Sequence, residues 1–73
     1  MTNYNIRWAS RQVSVKLPDG STVLQVIDAA RNAGLPIPTD LSTVLTQGYA
    51  TGHGLDLSAP APTDEVIIVN NRG

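Results

Sequence analysis

The stretch LPDGSTVLQVI, residues 17–27, contains the end of one strand, a tight turn and the start of a helix. The Pro-Asp-Gly triplet at 18–20 suits a tight turn, so the pattern that precedes it must stop there. Thr22 and Gln25 have the spacing of a capping box, in which a hydroxyl and an amide each satisfy a backbone N–H group. Ser21 is the alternative cap. The stretch therefore predicts where the helix of this chain begins.

Beyond the cap, apolar residues recur at the spacing of one helical face. Gly34 ends the pattern, because a residue without Cβ readily takes the left-handed conformation of a helix terminus. Pro36 prevents continuation. The sequence predicts a helix over about residues 22–33, whose apolar stripe consists of Val23, Val26, Ile27 and Ala30.

Two strands precede the turn. Apolar and polar residues alternate over residues 4–8 and again over 13–17, which is the pattern of half-buried strands. The connection at 9–11 is short enough to force an antiparallel hairpin. It lacks Gly and Asn, so the turn type is not predicted. Trp8 shares the period of the apolar residues before it, and we expect it in the core rather than at an interface.

The middle of the chain has weaker patterns. Residues 41–46 favour a short strand, because Val, Leu and Thr are common in sheets. Leu55 and Leu57 on either side of Asp56 indicate a brief edge strand. Residues 58–62 form a proline-stiffened loop.

The last strand is apolar at every position, VIIV over residues 66–69. Such a run is typical of a strand covered on both faces, so we expect a central strand that packs on the helix. Its other face is either shielded by neighbours or left as a docking patch for a partner. Two patches remain open, Val66 with Ile68 or Ile67 with Val69.

Composition narrows the function classes. The 73 residues are 41% hydrophobic and 15% charged, which predicts one globular domain over residues 1–73. The net charge is −1 and the basic residues are scattered, so we expect no binding to nucleic acid or to anionic membranes. There is no cysteine, no signal-peptide pattern and no apolar run of the roughly 20 residues that span a bilayer. We expect a cytoplasmic protein.

Other candidate sites have ordinary explanations. His53 is the single histidine and has no second ligand nearby, so we expect a solvent loop and no metal site. Gly48, Gly52 and Gly54 are turn glycines, because no Lys-Ser/Thr pair or helix start follows them. Asp64-Glu65 is expected to be a solvated turn, since adjacent strand residues point to opposite faces. No residue set indicates a catalytic site, and we expect no enzyme activity.

Residues 17–27 resemble the strand-turn-helix segment of the thiamin and molybdopterin sulfur carriers. Residues 64–69, DEVIIV, look like the last strand of that superfamily, and the ending Arg72-Gly73 is similar to that of ubiquitin. The order of elements also resembles the β-grasp plan. The resemblance implies an α+β fold in which a mixed four- to five-stranded β-grasp sheet packs on one helix.

The resemblance also implies a function. In ubiquitin-like modifiers and sulfur carriers, a separate activating enzyme uses ATP and Mg to adenylate the C-terminal glycine, here Gly73. The acyl group then passes through a thioester, with a conjugating enzyme and a protein target as further partners, or becomes a thiocarboxylate. No cofactor is bound by the chain itself. Asn70, Asn71 and Arg72 would guide a C-terminal tail, 70–73, that reaches about 13–14 Å when extended.

One departure from these families stands out, because their members usually end in two glycines and this chain has Arg72 before Gly73. The alternative is a non-catalytic β-grasp structural or interaction subunit of a larger assembly. In that case the final strand contacts the partner and the terminal glycine has no chemical role.

Overall fold

The computed structural model describes residues 1–48 and 54–71. One helix packs on one face of a four-stranded mixed sheet, so the predicted α+β architecture of a helix on a mixed sheet is confirmed. The elements, in chain order, are β1 Thr2–Trp8, β2 Arg11–Leu17, α1 Val23–Asn32, a 3-10 turn Leu41–Thr43, β3 Val44–Gly48 and β4 Val66–Asn71.

The strands lie in the order β2-β1-β4-β3. β1 and β2 form the predicted antiparallel hairpin, with Trp8 opposite Arg11. β4 lies parallel to β1 and antiparallel to β3, so the prediction of a central final strand is confirmed. The hairpin turn has two residues, and its first residue, Ala9, has φ of +55°. A left-handed alanine costs about 1 kcal/mol, so this turn is strained locally.

The helix begins and ends with the residues that the sequence predicts. The Gln25 N–H donates to the Thr22 hydroxyl at 3.2 Å, and the Thr22 N–H donates to the Gln25 side-chain oxygen at 2.8 Å. At the other end Gly34 has φ of +113°, and the Leu35 N–H donates to the Ala30 carbonyl at 3.1 Å. This geometry is a Schellman motif, which places Leu35 in the core beside the last helical turn.

The region after the helix differs from the prediction. A strand over residues 41–46 is wrong at its start, because residues 41–43 form a 3-10 turn and β3 begins at Val44. The Asp40 carboxylate accepts hydrogen bonds from the Ser42 N–H at 3.1 Å and from its hydroxyl at 2.7 Å. These bonds fold the backbone into a turn, so the strand begins only after the turn.

The predicted edge strand at Leu55 and Leu57 is also absent from the described residues. Asp56 accepts a hydrogen bond from the Ser58 N–H at 3.0 Å and forms a second turn of the same kind. Leu55 nevertheless pairs with the edge of β3 that lies away from β4. Its N–H donates to the Thr46 carbonyl at 2.8 Å, and its carbonyl accepts from the Thr46 hydroxyl at 2.8 Å. This contact covers part of that sheet edge.

The core lies between α1 and the sheet. Each large apolar side chain that it encloses contributes about 1.5–3 kcal/mol relative to exposure. Its members are Tyr4, Ile6, Val15, Val23, Val26, Ile27, Ala30, Leu35, Ile37, Val44, Ala61, Ile67 and Val69. Trp8 is half-buried against this cluster, on the side where the sequence predicts it. The helical segments in the described part of the chain are too short to cross a membrane.

Candidate functional site

The two sides of β4 have different environments. Ile67 and Val69 are completely buried in the core, on the side of the sheet where α1 lies. Val66 and Ile68 point to the opposite side of the sheet and are half-buried. Of the two docking patches that the sequence leaves open, the pair Ile67 and Val69 belongs to the core, and only Val66 and Ile68 remain accessible.

We call the sheet side opposite α1 the outer face. Its members follow from the alternation of side chains along each strand and from the pairing register. They are Asn3, Asn5, Arg7, Gln12, Ser14, Lys16, Leu45, Gln47, Val66, Ile68 and Asn70.

Pairing places two apolar residues of the outer face, Val66 and Ile68, on β4 in the interior of the sheet. Ile68 lies opposite Arg7 on one side and opposite Gln47 on the other. In an antiparallel pair such as Ile68 and Gln47, the facing side chains have Cβ atoms about 4.5–5.5 Å apart. Leu45, 40% exposed, lies on the edge strand opposite Asn70. The apolar centre is therefore surrounded by amide and basic groups.

Arg7 differs from its polar neighbours on the outer face. Asn5 and Ser14 satisfy one another, because the Ser14 hydroxyl donates to the Asn5 side-chain oxygen. The Nε atom of Arg7 is shielded from solvent and has no hydrogen-bond partner among the described residues. A buried donor without an acceptor costs about 1–3 kcal/mol.

The charge of the outer face has one sign. Arg7 and Lys16 are its charged members, and none of its strand positions holds Asp or Glu. The two ion pairs that the structure shows between described residues lie elsewhere: the Met1 amine with Asp19 at 3.8 Å, and Arg31 with Asp28 at 2.8 Å. The face is thus weakly positive although the chain has a net charge of −1.

Arg7 was not predicted to be a site residue. The available signal was its position in β1, out of phase with the apolar side chains at 4, 6 and 8. That alternation places Arg7 on the outer face once β4 is known to pair with β1. The parallel pairing joins distant segments of the chain, so no local sequence pattern indicates which residue of β4 lies opposite Arg7.

Two of the four residues of the predicted C-terminal tail lie in a strand. Asn70 pairs with Leu45 and Asn71 pairs with Val44, so both asparagines belong to β4. Arg72 and Gly73 lie outside the described residues, and their predicted roles in recognition and activation stay predictions.

The helix N-terminus is closed to anions. The Val23 N–H donates to the Ala59 carbonyl at 3.1 Å, and the Leu24 N–H donates to the Leu57 carbonyl at 3.0 Å. The next N–H is bound by Thr22. Backbone groups of the 57–61 loop therefore occupy the position that a phosphate would otherwise take.

Two clefts offer little to a small molecule. A cleft of about 210 Å³ lies against β3 and is smaller than the roughly 300–1,000 Å³ of typical ligand pockets. An open groove of about 430 Å³ lies beside the 18–20 turn. Its carboxylates are already engaged, because Asp19 accepts from the Thr2 hydroxyl and Asp28 binds Arg31.

Other predicted positions add no site. Among residues 1–48 and 54–71 there is no group of three His, Asp or Glu side chains that could hold a metal ion. His53 lies outside the described residues. Asp64 is exposed and Glu65 is half-buried in the bend before β4.

Comparison of the chain with protein-family models, with curated proteins and with solved structures gives no match in any of the three. The resemblance to ubiquitin-like proteins therefore depends on the two sequence stretches and on the order of the elements.

Proposed function

We propose that the chain is a β-grasp binding module that docks one protein partner on the outer face of its sheet. The observation that carries this proposal is the asymmetry of β4. Its residues Ile67 and Val69 face the helix, whereas Val66 and Ile68 have no described element over them. Apolar side chains at the centre of an uncovered sheet are typical of a surface that a second protein completes.

The arrangement of the strands supports the β-grasp part of the proposal. An N-terminal hairpin leads into a single helix, and the last strand returns to the middle of the sheet parallel to the first. We propose that the whole of residues 1–73 forms one such domain. It has no catalytic site of its own, and its function is to be recognised.

The second candidate is a ubiquitin-like modifier or sulfur carrier that is activated at Gly73. It is favoured by the direction of β4, whose carboxyl end leads to Arg72 and Gly73. A separate enzyme would supply ATP and Mg, and a glycine lets a backbone carboxylate approach a nucleotide phosphate without a Cβ clash. The product would be a thioester, whose acyl group is then transferred to an amine, or a thiocarboxylate.

The length of β4 favours the binding module over the carrier. In a chain that ends at Gly73, two residues follow Asn71 and reach about 7 Å, half the distance that a four-residue tail would cover. An enzyme would then have to approach the sheet closely or separate Asn70 and Asn71 from β3. The binding module needs neither step. We propose that both candidates act in the cytoplasm. A chain without cysteine has no disulfide that the reducing conditions there could break.

The docking proposal is tested by site-specific photo-crosslinking in cells of the source organism. The photoreactive residue is introduced at Leu45 on the outer face, and at Leu24 on the helix as a matched control. The two side chains are 40% and 39% exposed. We expect a defined adduct from position 45 and none from position 24.

The partner identified in this way is then purified and its affinity measured by calorimetry. We expect Ile68→Asn to weaken binding by about tenfold or more, because apolar anchors at the centre of an interface dominate its affinity. Leu24→Asn should leave affinity within about twofold, since exposed substitutions away from the interface change little. Equal adducts from both positions, or an affinity unchanged in Ile68→Asn, would refute the docking surface.

The carrier candidate is tested by the intact mass of the chain after incubation with an activating enzyme, ATP and Mg. An ATP-dependent adduct that disappears when Gly73 is deleted supports it. An unchanged mass, with an enzyme that is active on a control substrate, removes this candidate and leaves the binding module.

A further inference from the structure

We propose that the partner of the outer face presents a carboxylate to Arg7, next to an apolar side chain that contacts Ile68. This inference rests on the proposed docking function and specifies the chemistry of the partner. It starts from the one polar side-chain atom on this face that is both shielded and without a partner among the described residues, the Nε of Arg7.

The hydrogen-bonding groups of Arg7 favour a carboxylate as its partner. Its guanidinium has five N–H donors and no acceptor, and a carboxylate matches two of them at once. The neighbours on either side along the register are Gln12 and Ile68, and neither supplies a carboxylate. Among residues 1–48 and 54–71 the Nε–H of Arg7 is therefore unsatisfied, and we infer that a partner supplies its acceptor.

The charge of the outer face also favours an acidic partner. Arg7 lies beside Ile68 on the outer face and Lys16 lies at the end of the face, opposite Asn3, with no acidic residue at any strand position of the face. Complementary charge fixes orientation and accelerates encounter. Two basic residues around an apolar centre fit an acidic protein segment better than a nucleic acid, which would require a denser basic patch.

Arg7 can reach a partner by a change of its side-chain rotamer. Because the Nε of Arg7 is shielded, the side chain must change rotamer before a carboxylate can bind it side-on. Rotamer changes of this kind are common when partners associate. In the starting rotamer the Nε–H has no acceptor in the described part of the chain, so a change of rotamer breaks no hydrogen bond to those residues. Arg7 is thus suited to turn outward toward an acceptor.

The test uses the whole chain and a displayed library of random peptides as the probe. Peptides that bind the wild-type chain are expected to carry Asp or Glu adjacent to an apolar residue. Arg7→Glu should weaken their binding by about tenfold or more, as expected for the loss of a charge-assisted hydrogen bond. Arg11→Glu is the matched control, because Arg11 is exposed and the net charge changes by the same amount; we expect an effect below about twofold.

Charge exchange provides the decisive comparison. A selected peptide whose acidic residue is replaced by Arg should bind Arg7→Glu better than it binds the wild-type chain. Arg7→Lys keeps the charge but loses the bidentate geometry, so its affinity should fall between those of wild type and Arg7→Glu. Circular dichroism of each variant verifies that it is folded.

The outcomes separate the two proposals. Peptides that lose binding in Ile68→Asn but lack acidic residues and ignore Arg7→Glu would overturn the carboxylate and leave the docking surface intact. Peptides that ignore Ile68→Asn, or a library without binders, would overturn both. Binding of mixed-sequence single-stranded RNA that is lost in Arg7→Glu would replace the carboxylate by a phosphate.

Discussion

Replacing Arg7 by methionine should stabilise the free chain although the same change should weaken partner binding. Methionine keeps an unbranched apolar stem on β1 and removes the Nε–H, which has no acceptor among the residues that the structure describes. An unsatisfied buried donor costs about 1–3 kcal/mol. Methionine also gains an apolar contact across the strands with Ile68, which contributes about 0.2–1 kcal/mol.

Part of this gain is offset. The terminal N–H groups of Arg7 lose their contact with water, and a new sulfur atom has to pack on the sheet. We therefore expect a net gain of about 0.5–1 kcal/mol in the free energy of unfolding, below the full cost of the unsatisfied donor. For a domain of this size a change of 1 kcal/mol moves the thermal midpoint by about 4–8 °C. The expected rise is thus about 2–8 °C.

The assay is urea unfolding followed by circular dichroism, with a thermal scan as a second measurement. Three variants separate the donor from the charge. Arg7→Lys keeps the positive charge but has no N–H within its stem, so it should also be at least as stable as wild type. Arg11→Met removes an exposed guanidinium at the hairpin end and should stay within about 0.5 kcal/mol.

A loss of more than about 0.5 kcal/mol in both Arg7→Met and Arg7→Lys would refute the reasoning, because it would mean that the guanidinium stabilises the free chain. If only Arg7→Met loses stability, the charge matters and the unsatisfied donor does not. The inference about the partner would then have to stand on the charge of the face alone.

Three further predictions concern the rest of the chain. Ala9→Gly should raise stability by about 0.5–1 kcal/mol in urea unfolding, since glycine accepts positive φ without a Cβ clash; no gain would mean that the turn is relaxed. Ile67→Ala should cost about 2–5 kcal/mol and Ile68→Ala about 1 kcal/mol or less, because the first leaves a cavity under the helix; equal losses would contradict the assignment of the two faces. The Ser42 hydroxyl, and to a smaller extent its backbone N–H, donate hydrogen bonds that hold the pKa of Asp40 below its ordinary value of 3.8. The ionised Asp40 therefore contributes to the free energy of unfolding above that pH, and this contribution is lost as the pH falls through the lowered pKa. The drop in the urea midpoint on acidification should therefore be smaller in Asp40→Asn than in the wild-type chain, and an identical drop would remove Asp40 from the acid response.

The helix could be predicted closely because its signals are local. Thr22 and Gln25 lie three residues apart, and Gly34 needs no distant partner to end the helix. The strand pairing is partly local as well, since the short connection at 9–10 leaves the hairpin no other arrangement. These elements follow from residues that are neighbours in the sequence.

The candidate site was harder to predict because it depends on distant segments. Val66, Ile67, Ile68 and Val69 are all apolar, so their alternation cannot indicate which pair faces the helix. The end of β4 was also missed, because polar residues suggested a free tail. Asn70 and Asn71 stay in the sheet since β3 extends alongside them, and the start of β3 is fixed by the turn at Asp40.

The position of β4 also constrains the order in which the protein can fold during its synthesis. The strand made last among residues 1–71 is inserted between the two parts of the sheet made earlier, the hairpin and β3. Before it arrives, neither part has the other as a neighbour, and the apolar stripe of the helix lacks Ile67 and Val69 beneath it. A nascent chain that stops short of residue 66 therefore exposes apolar surface and two unpaired strand edges, which are the features that recruit chaperones and promote aggregation. The core can close only after β4 has emerged from the ribosome.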